Sequence, residues 1–211
     1  IFLAEATGTP VHIAHISTKN AVDLVRQAKK RGVQVTAEVT PQHLIFTDEA
    51  LRTFETRYKM NPPIRSDIHR DACVEGLKDG TIDAVVTDHA PHEWEEKDQE
   101  FNLAPSGFVG LETSVGAMLT HLYHTGIIDL MSLVNVMSTA QAKILNLDAG
   151  VIAPGKDADL TFLDLDKEWT VDSSKFYSKG KSTPFDEMIF KGKAAATIVN
   201  GKFVMKNGEV L

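Results

Sequence analysis

The sequence predicts an α/β fold followed by a small β-rich domain. Strand-like and helix-like runs alternate over residues 1–149, whereas short strands and turn signals fill residues 150–211. Such alternation favours parallel strands joined by crossover helices, as in a doubly wound sheet or a (β/α)8 barrel. Three strands cannot close a barrel alone. We therefore predict a barrel-like portion over 1–149 and a β-rich domain over 150–211.

The alternating part begins with a strand from Val11 to Ile16 and a helix over 18–32 that stops at Gly32. The apolar face of this helix is predicted to consist of Ala21, Val22, Leu24, Val25 and Ala28. The later elements are a strand in "VQVTAEVT", a short helix near "TDEALRTF", a loop in "YKMNPPIRS", a helix in "DIHRDACVEGLKDG" and a strand in "DAVVTDH".

The predicted secondary structure changes in the second part of the chain, from helices to short strands. Two helical stretches are predicted, from Gly110 to about Thr125 and from Asp129 to about Leu147, before short strands begin in "DADLTFLDLD" and "WTV". The last segment, "ATIVNGKFVMKNGEV", contains two Asn-Gly pairs, which are typical of tight turns between antiparallel strands. The C-terminal residues therefore predict hairpins.

Composition excludes several classes of function. The 22 Lys+Arg against 29 Asp+Glu give a formal net charge of −7, without the basic stripe that a nucleic-acid backbone requires. No apolar run approaches the roughly 20 residues of a membrane span. We therefore expect neither nucleic acid nor a membrane as a partner. The lone Cys73 excludes an internal disulfide and suits a reducing cytoplasm.

Polar residues lie at the carboxyl end of each predicted parallel strand. The first strand has His15 near its end, the second has Glu38 and the third has Asp88. The carboxyl ends of parallel strands lie at one edge, where α/β enzymes place their chemistry. Imidazole and carboxylate together suit a borderline divalent metal such as zinc. A single histidine at a strand end is also compatible with an ordinary hydrogen-bonded role, so spacing alone leaves both interpretations open.

The motifs together resemble the dihydroorotases of the long bacterial class, which belong to the amidohydrolase superfamily. The resemblance covers nearly the whole chain and rests on "HIAHIST", "AEVTPQHLIFTDEAL", "YKMNPPIRS", "DGTIDAVVTDHAPH", "APSGFVGLET", "GVIAPGKDADLTFLDLD" and "STPFDEMIFKGKAAATIVNGK". It implies the C-terminal portion of a (β/α)8 TIM barrel of the metallo-dependent hydrolase type. Residues 150–211 would then be the C-terminal part of a β-sandwich composite domain.

The resemblance also implies roles for individual residues. His15 matches a metal-binding histidine, and Asp88 matches an aspartate that binds metal and carries a proton during catalysis. Asn61 and His92 match substrate-binding positions. The family's reaction is the zinc-dependent, reversible conversion of N-carbamoyl-L-aspartate to L-dihydroorotate, the third step of pyrimidine synthesis, with one or two Zn²⁺ per site.

Two family motifs are altered in this chain. The segment "APSG" stands where the family usually has "APFG", and the backbone at Ser106 and Gly107 matches a loop that meets the substrate ring. The segment "TPQHL" replaces the usual "TPHHL", with Gln42 at the changed position. We expect Ser106 and Gly107 to contact substrate through this loop.

Several groups of the family's active site have no counterpart in the sequence. They are a His-x-His pair, a bridging carboxylate or carboxylated lysine, a further histidine, and an arginine that binds the substrate carboxylate. We therefore expect the chain to be the C-terminal half of a cytoplasmic enzyme and to be inactive alone. We expect the enzyme to form a homodimer or an assembly with other pyrimidine-pathway enzymes. Two alternatives stay open: a hydantoinase, dihydropyrimidinase or allantoinase, and a non-catalytic assembly partner.

Several conspicuous residues have simpler interpretations. His69, His121 and His124 are expected to be solvated or packed, and His12 to face away from His15 in a structural role. His43 and His89 can be assigned to neither class. The run "HEWEEKDQE" is predicted to be a solvated loop that is placed to act as a flap over the site.

Overall fold

The computed structural model describes residues 1–211, which form two compact units. The first unit consists of residues 1–112 and 172–186, and the second of residues 113–171 and 187–211. These units are defined by contacts within the chain and do not test the division predicted at 149/150, which stays a prediction. No helix combines the length and apolar character that crossing a bilayer requires.

The first unit is built on a three-stranded parallel sheet, as the alternating pattern predicted. Its strands, in spatial order, are β1 Val11–Ile13, β2 Val35–Val39 and β3 Ala84–Val85. Val11 pairs with Val35, and Glu38 pairs with Ala84. The helices of this unit are α1 Phe2–Thr7, α2 Lys19–Lys30, α3 Pro41–Ile45, α4 Asp67–Lys78 and α5 Trp94–Lys97, with 3₁₀ turns at Asp48–Thr53, Thr56–Tyr58 and Ser173–Lys175.

Helix α2 connects β1 to β2 and begins at a side-chain cap. Thr18 Oγ1 accepts a hydrogen bond from the Ala21 amide, which satisfies one of the free N–H groups of the first turn. The residues on its buried face are Val22, Val25 and Ala28. Leu24, which the sequence assigned to this face, is 53% exposed, because two positions along a helix rotate a side chain by about 200° from Val22.

Helices α2 and α4 approach each other closely at Gly76. A Cβ atom at this position would lie 2.8 Å from Val22 Cγ1 and 3.3 Å from two Ile82 side-chain atoms. Glycine therefore allows the contact that places both helices against the sheet. Cys73, also on α4, is buried and unpaired.

The second unit combines helical turns with an antiparallel sheet. Its helical segments are α6 Ser114–Met118, α7 Leu130–Val134 and α8 Ala140–Ile144, with π-helical turns at Leu119–Tyr123 and Asn135–Thr139. Its strands, which pair in chain order, are β4 Leu160–Thr170, β5 Ile189–Val199, β6 Lys202–Lys206 and β7 Glu209–Val210. Both Asn-Gly pairs form the predicted hairpin turns, since Asn200 and Asn207 have positive φ angles.

Candidate functional site

The two residues expected to bind metal follow strands β1 and β3 and share an unusual backbone conformation. His15 has φ 52° and Asp88 has φ 48°, both in the left-handed region that few non-glycine residues adopt. Such strained positions are often found at functional sites, where the surrounding structure maintains them. Strand β1 ends at Ile13 and β3 at Val85, each before the left-handed residue and earlier than predicted.

His15 and Asp88 lie side by side, as their places at strand ends predicted. His15 Nε2 is 3.3 Å from Asp88 Oδ1, and their side chains are 28% and 27% exposed. Both side chains are partly open to solvent, so a small ligand could reach the imidazole nitrogen and the carboxylate oxygen together. Their proximity is confirmed, and their role as metal ligands stays a prediction.

Glu38 connects the candidate ligand His15 to a second histidine. Its Oε1 is 2.9 Å from His15 Nδ1, and its Oε2 is 2.9 Å from His12 Nε2. His12 Nδ1 in turn lies 2.7 Å from Thr36 Oγ1. The expectation that His12 faces away from His15 is wrong, because strand β1 ends before His15 and strict alternation of side chains ends with it.

The donor chemistry at this edge of the sheet fits a divalent metal. His15 Nδ1 is buried and forms no hydrogen bond, although it lies 2.9 Å from Glu38 Oε1. Imidazole and carboxylate are zinc donors. No group of three or more His, Cys, Asp or Glu side chains is arranged to hold a metal ion. The structure therefore brings together one histidine and one aspartate that suit zinc.

His92, Ser106 and Gly107, which were expected to bind substrate, form one group. His92 Nε2 donates to the Ser106 carbonyl at 3.0 Å, and its Nδ1 is 3.2 Å from Glu96 Oε2. Gly107 has φ 122°, and a Cβ atom there would lie 2.7 Å from Ala90 Cβ and 3.2 Å from His92 Nε2. Only glycine therefore lets this loop lie so close to His92.

Asn61, the remaining expected substrate contact, has an exposed side chain without a hydrogen bond to the protein, and it precedes a cis peptide bond to Pro62. It forms no hydrogen bond with either of the two groups above. His43 Nε2 donates to the Pro62 carbonyl at 3.0 Å, while its Nδ1 lies 2.9 Å from Thr40 Oγ1. Burial lowers the pKa of His43, which favours the neutral ring, and a neutral ring can form both bonds. His43 therefore supports the segment that presents Asn61.

Gln42, at the altered family position, points its amide nitrogen at the Thr87 carbonyl at 3.3 Å, and its Oε1 is buried without a partner. His89 Nδ1 accepts hydrogen bonds from the amides of Gly110 and Leu111 at 3.2 and 3.4 Å. Both side chains therefore tie the end of β3 to neighbouring segments.

The other histidines have the packing and hydrogen-bonding roles that the sequence predicted. His69 Nδ1 accepts from the Lys19 amide at 3.0 Å. His124 Nε2 donates to the Leu165 carbonyl at 2.8 Å, and His121 packs edge-on against Phe190. Burial lowers the pKa of His121, which keeps that ring neutral.

Sequence reasoning missed Lys97, in the run that was predicted to be a solvated loop. The residues Glu93, Trp94, Glu95 and Glu96 are exposed, but Lys97 is only 3% exposed. Its ammonium group donates to the carbonyls of Pro105 and Gly107. No sequence signal distinguishes this lysine, since it lies among charged residues and its acceptors are main-chain atoms.

Known proteins resemble this chain over nearly all of its length. A dihydroorotase of Pelotomaculum thermopropionicum is 50% identical over 207 residues, which are 98% of this chain and 48% of that protein. A dihydroorotase of Bacillus licheniformis is 47% identical over 211 residues, which are 100% of this chain and 49% of that protein. The chain thus spans about half the length of the curated relatives it matches.

Solved structures share the fold. An L-hydantoinase (dihydropyrimidinase) from Arthrobacter aurescens superposes with a TM-score of 0.95 at 36% identity, covering 100% of this chain and 48% of that one. A dihydropyrimidinase from Brevibacillus agri NCHU1002 gives a TM-score of 0.93 at 26% identity, with the same coverage. These neighbours are TIM-barrel metallo-hydrolases, so the predicted fold class is confirmed.

The match to a protein family extends over the same residues. The amidohydrolase family matches residues 2–204, which include both units and every candidate site residue. The predicted resemblance is therefore confirmed: the chain belongs to the amidohydrolase family.

Proposed function

We propose that the whole protein carrying this chain is a dihydroorotase, which converts N-carbamoyl-L-aspartate reversibly to L-dihydroorotate in pyrimidine synthesis. The observation that carries the proposal is the pairing of His15 with Asp88, 3.3 Å apart at the ends of two parallel strands. Relatives named dihydroorotase are 45–50% identical over 97–100% of the chain, whereas the hydantoinase of known structure is 36% identical. The His15–Asp88 pair supports a metal-dependent member of the family, and the higher identity favours dihydroorotase over hydantoinase.

Zinc is the metal we propose, with His15 Nε2 and Asp88 Oδ1 among its ligands and one or two ions in the complete site. The support is the chemistry of the donors, since imidazole and carboxylate suit zinc. When bound, the metal would supply Lewis-acid activation of a water molecule and of the amide carbonyl.

Asp88 is the proposed catalytic residue. In the direction of hydrolysis its carboxylate takes a proton from the attacking water and then gives it to the ring nitrogen as the C–N bond breaks. In the direction of ring closure the same proton moves the opposite way. Its partly exposed side chain beside His15 is compatible with both roles.

Asn61, His92, Ser106 and Gly107 are the proposed substrate contacts. The Asn61 amide can both donate to and accept from a cyclic imide, and its side chain has no competing bond within the protein. The loop at Ser106 lies against His92, so the two would meet the ring together. We also propose that the enzyme works in the cytoplasm, as a homodimer or with other enzymes of its pathway.

The test is an assay of the purified whole protein on dihydroorotate, hydantoin, dihydrouracil and allantoin. We expect dihydroorotate to be the preferred substrate. Preference for another ring would assign the protein to the hydantoinase group, and absence of turnover on all four would favour a non-catalytic partner.

Asp88→Asn tests the two roles proposed for Asp88, proton transfer and metal binding, and the metal content of the variant distinguishes them. Asparagine has nearly the same size and tolerates the left-handed backbone at φ 48°, so the fold should be retained. We expect kcat to fall by about 10²–10⁴-fold, the usual contribution of a general acid-base group. A near-normal rate would refute the proton-transfer role.

Asn61→Ala tests recognition. We expect kcat/KM for dihydroorotate to fall, by an amount equivalent to about 1–3 kcal/mol of lost transition-state binding, because the imide would lose its hydrogen-bond partner. An unchanged constant would show that Asn61 does not touch substrate.

A further inference from the structure

Lys97 is the only buried lysine or arginine in the chain. It is the last residue of helix α5, whose other residues are exposed. Burying an ammonium group is costly unless hydrogen bonds replace its water. A buried lysine therefore requires an explanation from its contacts.

The ammonium group of Lys97 forms hydrogen bonds only with main-chain carbonyls. Its Nζ donates to the Pro105 carbonyl at 3.0 Å and to the Gly107 carbonyl at 2.9 Å. Its own carbonyl accepts a hydrogen bond from Thr56 Oγ1 at 2.6 Å. No carboxylate forms an ion pair with it, and burial, with the nearby Lys59, lowers its pKa to about 8. The ammonium thus serves to hold two carbonyls.

Lys59 also binds this loop, at other main-chain groups. Its Nζ donates to the carbonyls of Phe101 and Asn102 at 2.6 and 3.2 Å, and it lies 5.4 Å from the centre of the Phe101 ring. Its carbonyl accepts from the Gly107 amide at 2.9 Å. Both polar groups of Gly107 are therefore bound by lysine residues, its N–H by Lys59 and its C=O by Lys97.

These bonds determine which groups of the loop are left for a ligand. Gly107 has its N–H and C=O engaged, and the Ser106 carbonyl is bound to His92. The Ser106 amide and hydroxyl form no hydrogen bond within the protein, and Ser106 is exposed. The lysines thus fix the loop through its occupied groups and leave the Ser106 donors available.

We propose that Lys97 is a positioning residue that, by holding the carbonyls of Pro105 and Gly107, sets the place of Ser106 beside His92 and with it the selection of substrate. This inference rests on the proposed function, in which that loop meets the substrate ring. In that function the loop would meet the ring and not the breaking bond, so Lys97 would govern binding more than the chemical step.

The experiment compares Lys97→Met with the wild type in the whole protein, because methionine fills similar buried space without donors. We expect KM for dihydroorotate to rise at least about tenfold with kcat within about threefold, and the preference over hydantoin and dihydrouracil to fall about tenfold. Lys78→Met, which removes an exposed lysine paired with Glu75, is the matched control and should leave both constants unchanged.

Hydrogen exchange measured by mass spectrometry gives a readout that does not depend on turnover. We expect Lys97→Met to accelerate amide exchange in residues 98–107 and leave residues 19–30 unchanged. Lys97→Gln, which keeps a shorter, uncharged donor, should show the same changes to a smaller degree, and it decides the matter if Lys97→Met does not fold. Lys59→Met, which frees the carbonyls of Phe101 and Asn102, should accelerate exchange in the same loop. An unchanged KM despite faster loop exchange, a loss in kcat alone, or unchanged exchange would each overturn the proposal. If the wild type does not act on dihydroorotate, the proposed function fails, and the exchange experiment still tests whether Lys97 holds the loop.

Discussion

At the scale of single residues, Glu38 organises the imidazoles next to the candidate metal position. One of its oxygens approaches His15 and the other approaches His12, which itself contacts Thr36. A carboxylate that accepts the N–H of a metal-binding histidine fixes the ring orientation and raises its basicity, and Glu38 Oε1 is within reach of His15 Nδ1 for this role. Glu38 is therefore expected to affect metal binding without being a ligand.

Glu38→Gln is expected to lower metal affinity or kcat/KM by roughly 10–100-fold in the whole protein, the usual effect of losing such a partner. The change keeps the size of the side chain and removes its charge. The measurement is metal content by mass spectrometry after dialysis against a weak chelator, together with kcat/KM. Glu75→Gln, on the exposed surface of α4, is the control. Metal content and kcat/KM equal to those of the wild type would contradict the role of Glu38.

At the scale of elements, strand β3 is only two residues long and the side chain of Asp83 extends its pairing with β2. The Asp83 amide donates to the Ala37 carbonyl at 2.8 Å, and Asp83 Oδ2 accepts from the Ala37 amide at 2.8 Å. Lys29 of α2 donates to both oxygens of this carboxylate at 2.7 Å. One side chain thus joins β2, β3 and the crossover helix.

Asp83→Ala is expected to lower the free energy of unfolding by about 1–3 kcal/mol, because it leaves the Ala37 amide without its side-chain acceptor. Urea unfolding followed by circular dichroism gives the measurement. Asp71→Ala is the matched control, since Asp71 is an exposed carboxylate paired only with Arg70, and such pairs contribute about 0–1 kcal/mol. Equal losses in the two variants would show that Asp83 adds nothing beyond a surface ion pair.

At the scale of the whole molecule, Cys73 is an internal reporter of the first unit. The residue is fully buried on α4, its Sγ is 3.8 Å from the Ile16 carbonyl, and burial raises the pKa of its thiol to about 12. Because the thiolate is the reactive form, the native thiol should be protected both by lack of access and by its protonation.

Labelling of Cys73 by a disulfide reagent is therefore expected to be slow in the native protein from pH 7 to pH 10 and fast in urea, where the pKa returns to roughly 8.5. The raised pKa also makes the free energy of unfolding depend on pH. The contribution of the buried neutral thiol is fully present below the thiol pKa of the unfolded chain and is lost as pH rises towards 12. Cys73→Ala gives the background. Rapid labelling without denaturant at pH 8 would show that the first unit opens readily.

Much of the fold and part of the site could be predicted from the sequence. The parallel strands, crossover helices and C-terminal hairpins follow from apolar periodicity and turn residues, which are local properties of the chain. The pairing of His15 with Asp88 was also predictable, because residues that follow parallel strands must share one edge of the sheet.

Tertiary structure alone decided the remaining features. The burial of Lys97 depends on carbonyls of residues 105 and 107, and the contact of His12 with Glu38 depends on where β1 ends. Neither contact can be recognised from the sequence pattern. Main-chain acceptors are present at every residue, and the sequence does not distinguish a solvated charged side chain from a buried one. The sequence by itself thus determined which elements form and which edge holds the candidate site, and the packing of loops determined which side chains support it.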